Sequence, residues 1–182
     1  MLLEWLNMHL HILTVVWLFP IIFMFHDFEE ILTVEKWVKR NRDFVFHKIP
    51  PSLHKYFYST FQMTTVQFAQ DVFWIFLVIT AATIIAVLFS FYFPFLILLA
   101  LFFAHVFTHI GQAVYLGKYT PGVITAIGLV LPYSLYAYYR LLGEAVITSW
   151  DIIWSILSLC VAVPFLFLYL VRERNRVTNS SG

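Results

Sequence analysis

The sequence predicts an all-α membrane protein, a bundle of five transmembrane helices. Of its 182 residues, 62% are hydrophobic and only 12% are charged, and the mean hydropathy is +0.84. A soluble domain of this size could not bury so much apolar surface. The apolar runs are continuous rather than alternating, which favours helices over a β-barrel.

Each predicted span is an apolar run of roughly the 20 residues that a bilayer requires. The five spans are expected at about 6–34, 64–89, 94–116, 121–138 and 152–171. The segment 36–62 interleaves basic and aromatic residues, so we expect it to lie on the membrane surface. Residues 1–178 are expected to form a single transmembrane domain, and 179–182 a flexible tail or a cloning remnant.

The basic residues predict the orientation. With five spans, every Lys and Arg falls on one side of the membrane except Arg140. The positive-inside rule then places the N-terminus outside and the C-terminus in the cytoplasm. The sequence therefore predicts a multi-pass protein of the cell inner (plasma) membrane.

Ionisable residues interrupt the apolar run of the first span. His26, Asp27, Glu29 and Glu30 lie inside or beside it. Such groups are costly in lipid, and they are typical of functional sites. On a helix, His26, Glu29 and Glu30 share one face because they are spaced i, i+3, i+4, whereas Asp27 points away from that face.

Two other spans carry polar residues at a similar predicted depth. Span three repeats the spacing with His105, His109 and Gln112, and span two supplies Gln67 and Asp71. Counting helical rise back from the basic segments places all three stripes in the cytoplasmic half of the membrane. We therefore expect a site between spans one, two and three.

These residue types indicate a divalent metal site, with zinc favoured over iron, which accepts the same ligands. The expected ligands are His26, Glu30, His105 and His109. Glu29 or Glu30 is expected to act as the catalytic general base, and the sequence does not decide how the two glutamates divide these roles. The side chains expected to orient the ligands are Gln67, Asp71, Gln112 and Tyr119.

The predicted function is that of a zinc hydrolase that acts on a lipid or another amphiphile from the cytoplasmic leaflet. The alternative is a carrier that moves a metal ion or protons through the same His/Glu cluster. A third reading is a structural protein whose polar residues only pair with one another. The single cysteine, Cys160, excludes an internal disulfide and a Cys-cluster metal site. No nucleic-acid partner is expected, and the sequence does not decide whether the protein forms a homo-oligomer.

Three elements of the sequence resemble the HXXEE domain family of prokaryotic membrane proteins. They are His26-Asp27-Phe28-Glu29-Glu30, a downstream histidine, and Tyr119-Thr120-Pro121-Gly122. The resemblance covers roughly residues 17–128, and His109 is favoured over His105 as the family histidine. It implies a shared fold and a shared site without naming a reaction.

The last of these elements also has a predicted local role at the start of span four. We expect Thr120 to cap the helix, Pro121 to occupy its first turn, and Gly122 to allow a close approach of the backbone. Tyr119 is then expected at the cytoplasmic interface, beside the mouth of the site.

Overall fold

The computed structural model describes residues 1–51, 54 and 64–162, which form a helical bundle without a strand. The helices are α1 (Leu2–His9), α2 (Ile12–Lys48), α3 (Thr65–Phe89), α4 (Phe93–Leu116), α5 (Val123–Thr125), α6 (Leu131–Gly143) and α7 (Ser149–Ala162). A π-helical segment, Ala126–Val130, joins α5 to α6.

Three of these helices, α2, α3 and α4, are long and apolar enough to cross a membrane. The predicted all-α class is confirmed, and the apolar helices indicate a membrane protein. The count of five spans and the orientation stay predictions. Predicted span four coincides with α5, the π-helical segment and α6, and predicted span five begins in α7. Three parts of the prediction lie outside the described residues: the later part of span five, the tail 179–182 and most of the segment 52–63.

The first membrane helix differs from its prediction at both ends. A separate helix, α1, precedes it, and α2 then continues to Lys48, well beyond the expected end near residue 34. Glu35 accepts a hydrogen bond from Lys39 Nζ at 2.6 Å, an i, i+4 pair that stabilises a helix outside lipid. The extension is held against α4, since Tyr115 Oη donates to the Lys48 carbonyl at 2.7 Å. It ends just before Pro50, as the conformational restriction of a residue before proline predicts.

Local signals set the ends of α3 and α4. Thr64 and Gln67 form a capping box at the start of α3, with Thr64 N–H donating to Gln67 Oε1 at 3.0 Å. Pro94 lies in the first turn of α4, and Gly117 ends that helix in the left-handed conformation, at φ +68°. The α3–α4 connection is only three residues long by these bounds, so the two helices run antiparallel side by side.

An aromatic layer joins α2, α4 and α6 in the middle of the bundle. The ring centroid of the fully buried Phe19 lies 5.2 Å from that of Phe95, 5.5 Å from that of Phe102 and 6.2 Å from that of Tyr133. Such ring pairs add to the stabilisation that burial of their apolar area provides. The next buried polar group along α2 is His26, so this layer forms the apolar side of the candidate site.

A polar network anchors α1 to α6 on the other side of that layer. Arg140, which is buried, donates from Nε to Glu144 Oε1 at 3.0 Å and from Nη1 to Tyr136 Oη at 2.8 Å. Tyr136 Oη in turn donates to Asn7 Oδ1 at 3.2 Å. A buried guanidinium with several acceptors ties together the helices that supply them.

We expect Arg140→Met to lower the thermal unfolding midpoint in detergent. The change removes the donor and leaves Glu144 and Tyr136 without it, at a cost of about 1–3 kcal/mol, or roughly 3–8 °C for a chain of this size. Arg40→Met, at an exposed position of α2, is the matched control and should change the midpoint little. Equal effects of the two substitutions would contradict this role of Arg140.

Candidate metal centre

Four side chains from two helices converge on the side of the aromatic layer that is opposite the Arg140 network. His26 and Glu30 come from α2, and His105 and His109 come from α4, each pair spaced i, i+4. That spacing places both members of a pair on one helical face. One potential ligand atom from each side chain lies within 4.8 Å of all the others.

Glu30 lies at the centre of this His/Glu cluster. Its Oε1 atom is 3.0 Å from His109 Nε2, 3.8 Å from His26 Nε2 and 3.9 Å from His105 Nε2. The two histidines of α4 are closer still, with 2.7 Å between their Nε2 atoms. Around a tetrahedral zinc ion with bonds of about 2.0–2.1 Å, donor atoms lie about 3.3 Å apart. The observed distances lie on both sides of that value, so the cluster has the dimensions of a metal site.

Burial distinguishes the four side chains. His26 and His109 are 1% and 5% exposed, whereas His105 is 43% exposed. His26 Nε2 is buried and has no hydrogen-bond partner among the described residues. A buried polar atom left unpaired costs about 1–3 kcal/mol, which a metal ion at this position would offset. His105 is the member of the cluster that a ligand can reach.

A further wall of the site comes from the segment 119–125, which precedes and forms α5. Tyr119 Oη donates to Glu29 Oε1 at 2.7 Å, and Thr125 donates to Glu29 Oε2 from its backbone nitrogen at 2.8 Å and from Oγ1 at 2.6 Å. Thr125 Oγ1 also lies 2.9 Å from His26 Nδ1. Trp37 Nε1 donates to the Tyr119 carbonyl at 2.7 Å. Glu29 therefore faces this segment, and it is not part of the His/Glu cluster.

Gly122 packs directly against the cluster. A Cβ atom at this position would lie 2.5 Å from Glu30 Oε1 and 2.6 Å from His109 Cε1, and the backbone has φ +83°. The close approach expected of this glycine is confirmed. The expected capping by Thr120 is wrong: Gly122 itself precedes the first turn of α5, and Thr120 Oγ1 is buried without a hydrogen-bond partner among the described residues.

The other predicted residues lie around the cluster or away from it. Gln112 lines a cavity beside it, and Asp27 is buried but outside it. Gln67 is exposed in the capping box of α3, and Asp71 is exposed and also outside the cluster. The wall expected from span two is thus supplied by the segment 119–125. Thr125 is not among the site residues that the sequence predicts. The feature that could have indicated it is a hydroxyl group one turn into an apolar segment.

A cavity of about 450 Å³ adjoins the cluster. Its polar end is formed by Glu30, His105, His109, Gln112 and Thr120. Its other walls are mainly apolar and aromatic: Val34, Trp37, Val38, Val45, Ile49, Pro50, Phe68, Tyr115, Leu116 and Pro121. Small-molecule sites combine an apolar lining with a few converging polar groups in this way.

Residues 17–137 match a family model described as a protein of unknown function with an HXXEE motif. The chain belongs to the HXXEE family. The match confirms the resemblance based on the motif, a downstream histidine and the Y-X-P-G element, and it extends past Thr125. No curated protein and no solved structure matches the chain. Of the three residues that define the HXXEE motif, His26 and Glu30 enter the cluster, and Glu29 turns to the segment beside it.

Gly122→Ala should destabilise the protein more than Gly117→Ala does. Both glycines have positive φ, so either change adds backbone strain of about 1–2 kcal/mol. Only at Gly122 would the new Cβ also collide with Glu30 and His109, whereas no atom of the described residues lies within 4 Å of a Cβ at Gly117. Thermal unfolding of the two variants measures the difference. Similar midpoints would show that the cluster does not pack against residue 122.

Proposed function

We propose that this protein is a metal-dependent intramembrane enzyme, a zinc hydrolase that acts on a lipid or another membrane-embedded substrate. The observation that carries the proposal is the convergence of three imidazole nitrogens and one carboxylate oxygen within 4.8 Å. Groups of this kind are rare in apolar bundles unless they serve a function.

The donor set supports a divalent metal as the cofactor. Neutral imidazole and carboxylate are ordinary ligands of zinc, and three histidines with an open position occur in catalytic zinc sites. Iron accepts the same donors. We favour zinc because three histidines with an open position are typical of its catalytic sites. In the proposal, His26, His105 and His109 hold the ion, and Glu30 contacts it or a water molecule beside it.

The proposed chemistry is hydrolysis by an activated water molecule. A bound zinc ion would supply Lewis acidity and would bring the pKa of a water molecule on it toward neutrality. The proton needs an acceptor within hydrogen-bond reach. We assign this role to Glu30, because both carboxylate oxygens of Glu29 already accept hydrogen bonds from Tyr119 and Thr125.

The cavity supports an amphiphile as the substrate. Its polar end includes His105, the most exposed member of the cluster, and its remaining length is mainly apolar. An apolar chain would occupy the walls that Val34 and Val38 help to form, while the bond to be cleaved would lie at the cluster. A substrate of this kind reaches the site without leaving the bilayer.

The basic residues support access from the cytoplasmic leaflet. The cavity is bordered by the C-terminal half of α2, the half that carries Lys36, Lys39 and Arg40. Positively charged segments beside membrane helices favour the cytoplasmic side. The five-span arrangement with a cytoplasmic C-terminus is part of the proposal.

A carrier for a metal ion or protons is the competing function, and it requires a polar path through the membrane. In the part of the chain that the structure describes, buried Phe19, Phe95 and Phe102 lie between the cluster and the Arg140 network. This aromatic layer favours an enzyme with one opening over a carrier with two.

Elemental analysis of the purified protein tests the metal. We expect about one equivalent of zinc, reduced at least tenfold in His26→Ala and His109→Ala because each removes a ligand. His47→Ala is the matched control, since His47 is an exposed residue of α2 outside the cluster, and it should keep its metal. Wild-type protein that binds no divalent metal, even after incubation with zinc, would refute the proposal.

Fluorescence tests the cavity, because Trp37 lines it. A fatty acid brominated near the end of its chain quenches tryptophan on contact, and the difference between wild type and Trp37→Phe isolates the Trp37 signal. We expect Val34→Phe, which fills the cavity, to reduce that quenching at least about twofold in detergent. Leu32→Phe, on an exposed face of the same helix, should leave it unchanged. Undiminished quenching in Val34→Phe would show that the chain binds elsewhere.

A further inference from the structure

Two residues outside the His/Glu cluster connect to it through His26. Glu29 and Thr125 are hydrogen-bonded to each other, and Thr125 contacts the ring nitrogen of His26 that faces away from Glu30. We propose that Glu29 and Thr125 are positioning residues that hold His26 as the Nδ1–H tautomer with Nε2 directed into the cluster. The role of His26 as a ligand rests on the proposed function, but the tautomer does not.

The argument follows from counting hydrogens on Thr125. Its hydroxyl group has one proton to donate and lone pairs that accept. Oγ1 lies 2.6 Å from Glu29 Oε2, 2.9 Å from His26 Nδ1 and 3.3 Å from the Gly122 carbonyl. The Glu29 carboxylate is the nearest acceptor, and it also accepts from Tyr119 and from the Thr125 nitrogen, so it takes the hydroxyl proton. The contact with His26 is then a hydrogen bond only if Nδ1–H donates to Oγ1.

That assignment leaves Nε2 of His26 with a free lone pair. Nε2 is the atom that lies 3.8 Å from Glu30 Oε1, and it has no hydrogen-bond partner among the described residues. In protein metal sites, the nitrogen that binds the metal is set by the hydrogen bond that the other nitrogen makes. Thr125 therefore presents the nitrogen that a metal needs.

The surroundings of the His26 ring hold it in this orientation by burial and by hydrogen bonds to its partners. His26 is 1% exposed, and its ring packs edge-on against Phe102 with 5.7 Å between the centroids. Glu29 is held from both oxygens, by Tyr119 on one and by the nitrogen and hydroxyl of Thr125 on the other. The Thr125 N–H belongs to the first turn that follows Gly122, where backbone donors lack partners within the helix. The carboxylate thus locks the threonine, and the threonine orients the histidine.

This assignment gives Glu29 a different role from that of the general base, for which the sequence leaves Glu29 and Glu30 as alternatives. A base must have a free lone pair beside the reacting water. Glu29 lies outside the cluster, and its carboxylate faces Tyr119 and Thr125, which both donate to it. Substitution of Glu29 should therefore act through His26.

The experiment measures the tautomer and the zinc affinity separately in the full chain. The ¹⁵N signals of His26 in metal-free, histidine-labelled protein, assigned with His26→Gln, report which ring nitrogen carries the proton. We expect Nδ1–H in the wild type and in Thr125→Ser, and a mixture of tautomers in Thr125→Val. Competition with a zinc-binding indicator should show roughly 10–100-fold weaker affinity for Thr125→Val and a change of only a few-fold for Thr125→Ser.

Two more variants complete the comparison. Glu29→Gln should also weaken zinc binding about tenfold or more, because both carboxylate oxygens accept hydrogen bonds and an amide has only one oxygen. Thr83→Val removes another buried hydroxyl, bonded at 2.9 Å to the Ile79 carbonyl within α3, and should change neither readout.

The outcomes separate this inference from the proposed function. Nε2–H in the wild type, or an unchanged tautomer in Thr125→Val, would overturn the inference. Nδ1–H in the wild type that is lost in Thr125→Val supports it, even if the wild type binds no zinc. In that last case only the metal-dependent function fails.

Discussion

The contact of Glu30 on α2 with the imidazoles of α4 is the interaction on which the candidate site depends. A carboxylate that is 14% exposed would be strongly destabilising in an apolar environment without partners. His109 Nε2, which lies 3.0 Å from Glu30 Oε1, supplies the nearest partner, and this contact requires α2 and α4 to lie close together at this level. Gly122 completes the arrangement, because only a residue without a side chain lets the start of α5 close over Glu30 and His109. The same close approach that packs the helices also forms the site.

The bundle separates two polar regions that have different characters. In the Arg140 network, donors and acceptors satisfy one another, and the result is an anchor for α1. In the His/Glu cluster, His26 Nε2 is left without a hydrogen-bond partner among the described residues, and an adjoining cavity exposes His105. A satisfied network stabilises a fold, whereas converging groups that remain unsatisfied are typical of a binding site. The contrast within one chain is the reason to assign chemistry to one region and stability to the other.

The sequence predicts the helical class and the cluster because both depend on local spacing. Apolar length gives the membrane helices, and the i, i+4 pairs on α2 and α4 give the four candidate ligands. It does not predict which helix forms the remaining wall, because neighbours in a bundle are set by packing over the whole chain. Asp71 has the expected spacing and depth, yet α3 turns it outward, while Thr125 is brought in by the close approach at Gly122. The extension of α2 was missed for another reason: charge and aromatic content predict a surface location but do not distinguish a helix from a loop there.

The two glutamates of the HXXEE motif face different neighbours, so they do not act as one doubled negative charge at a single site. Successive residues of a helix point about 100° apart, so Glu29 and Glu30 cannot face the same neighbour. Glu30, four residues after His26, faces α4 and enters the cluster, and Glu29 faces the start of α5 and accepts from Tyr119 and Thr125. One carboxylate contacts the imidazoles directly, and the other reaches His26 through a hydroxyl group. The motif therefore lies where α2 meets both α4 and the start of α5, and one turn of α2 contacts both of these neighbours at the same site.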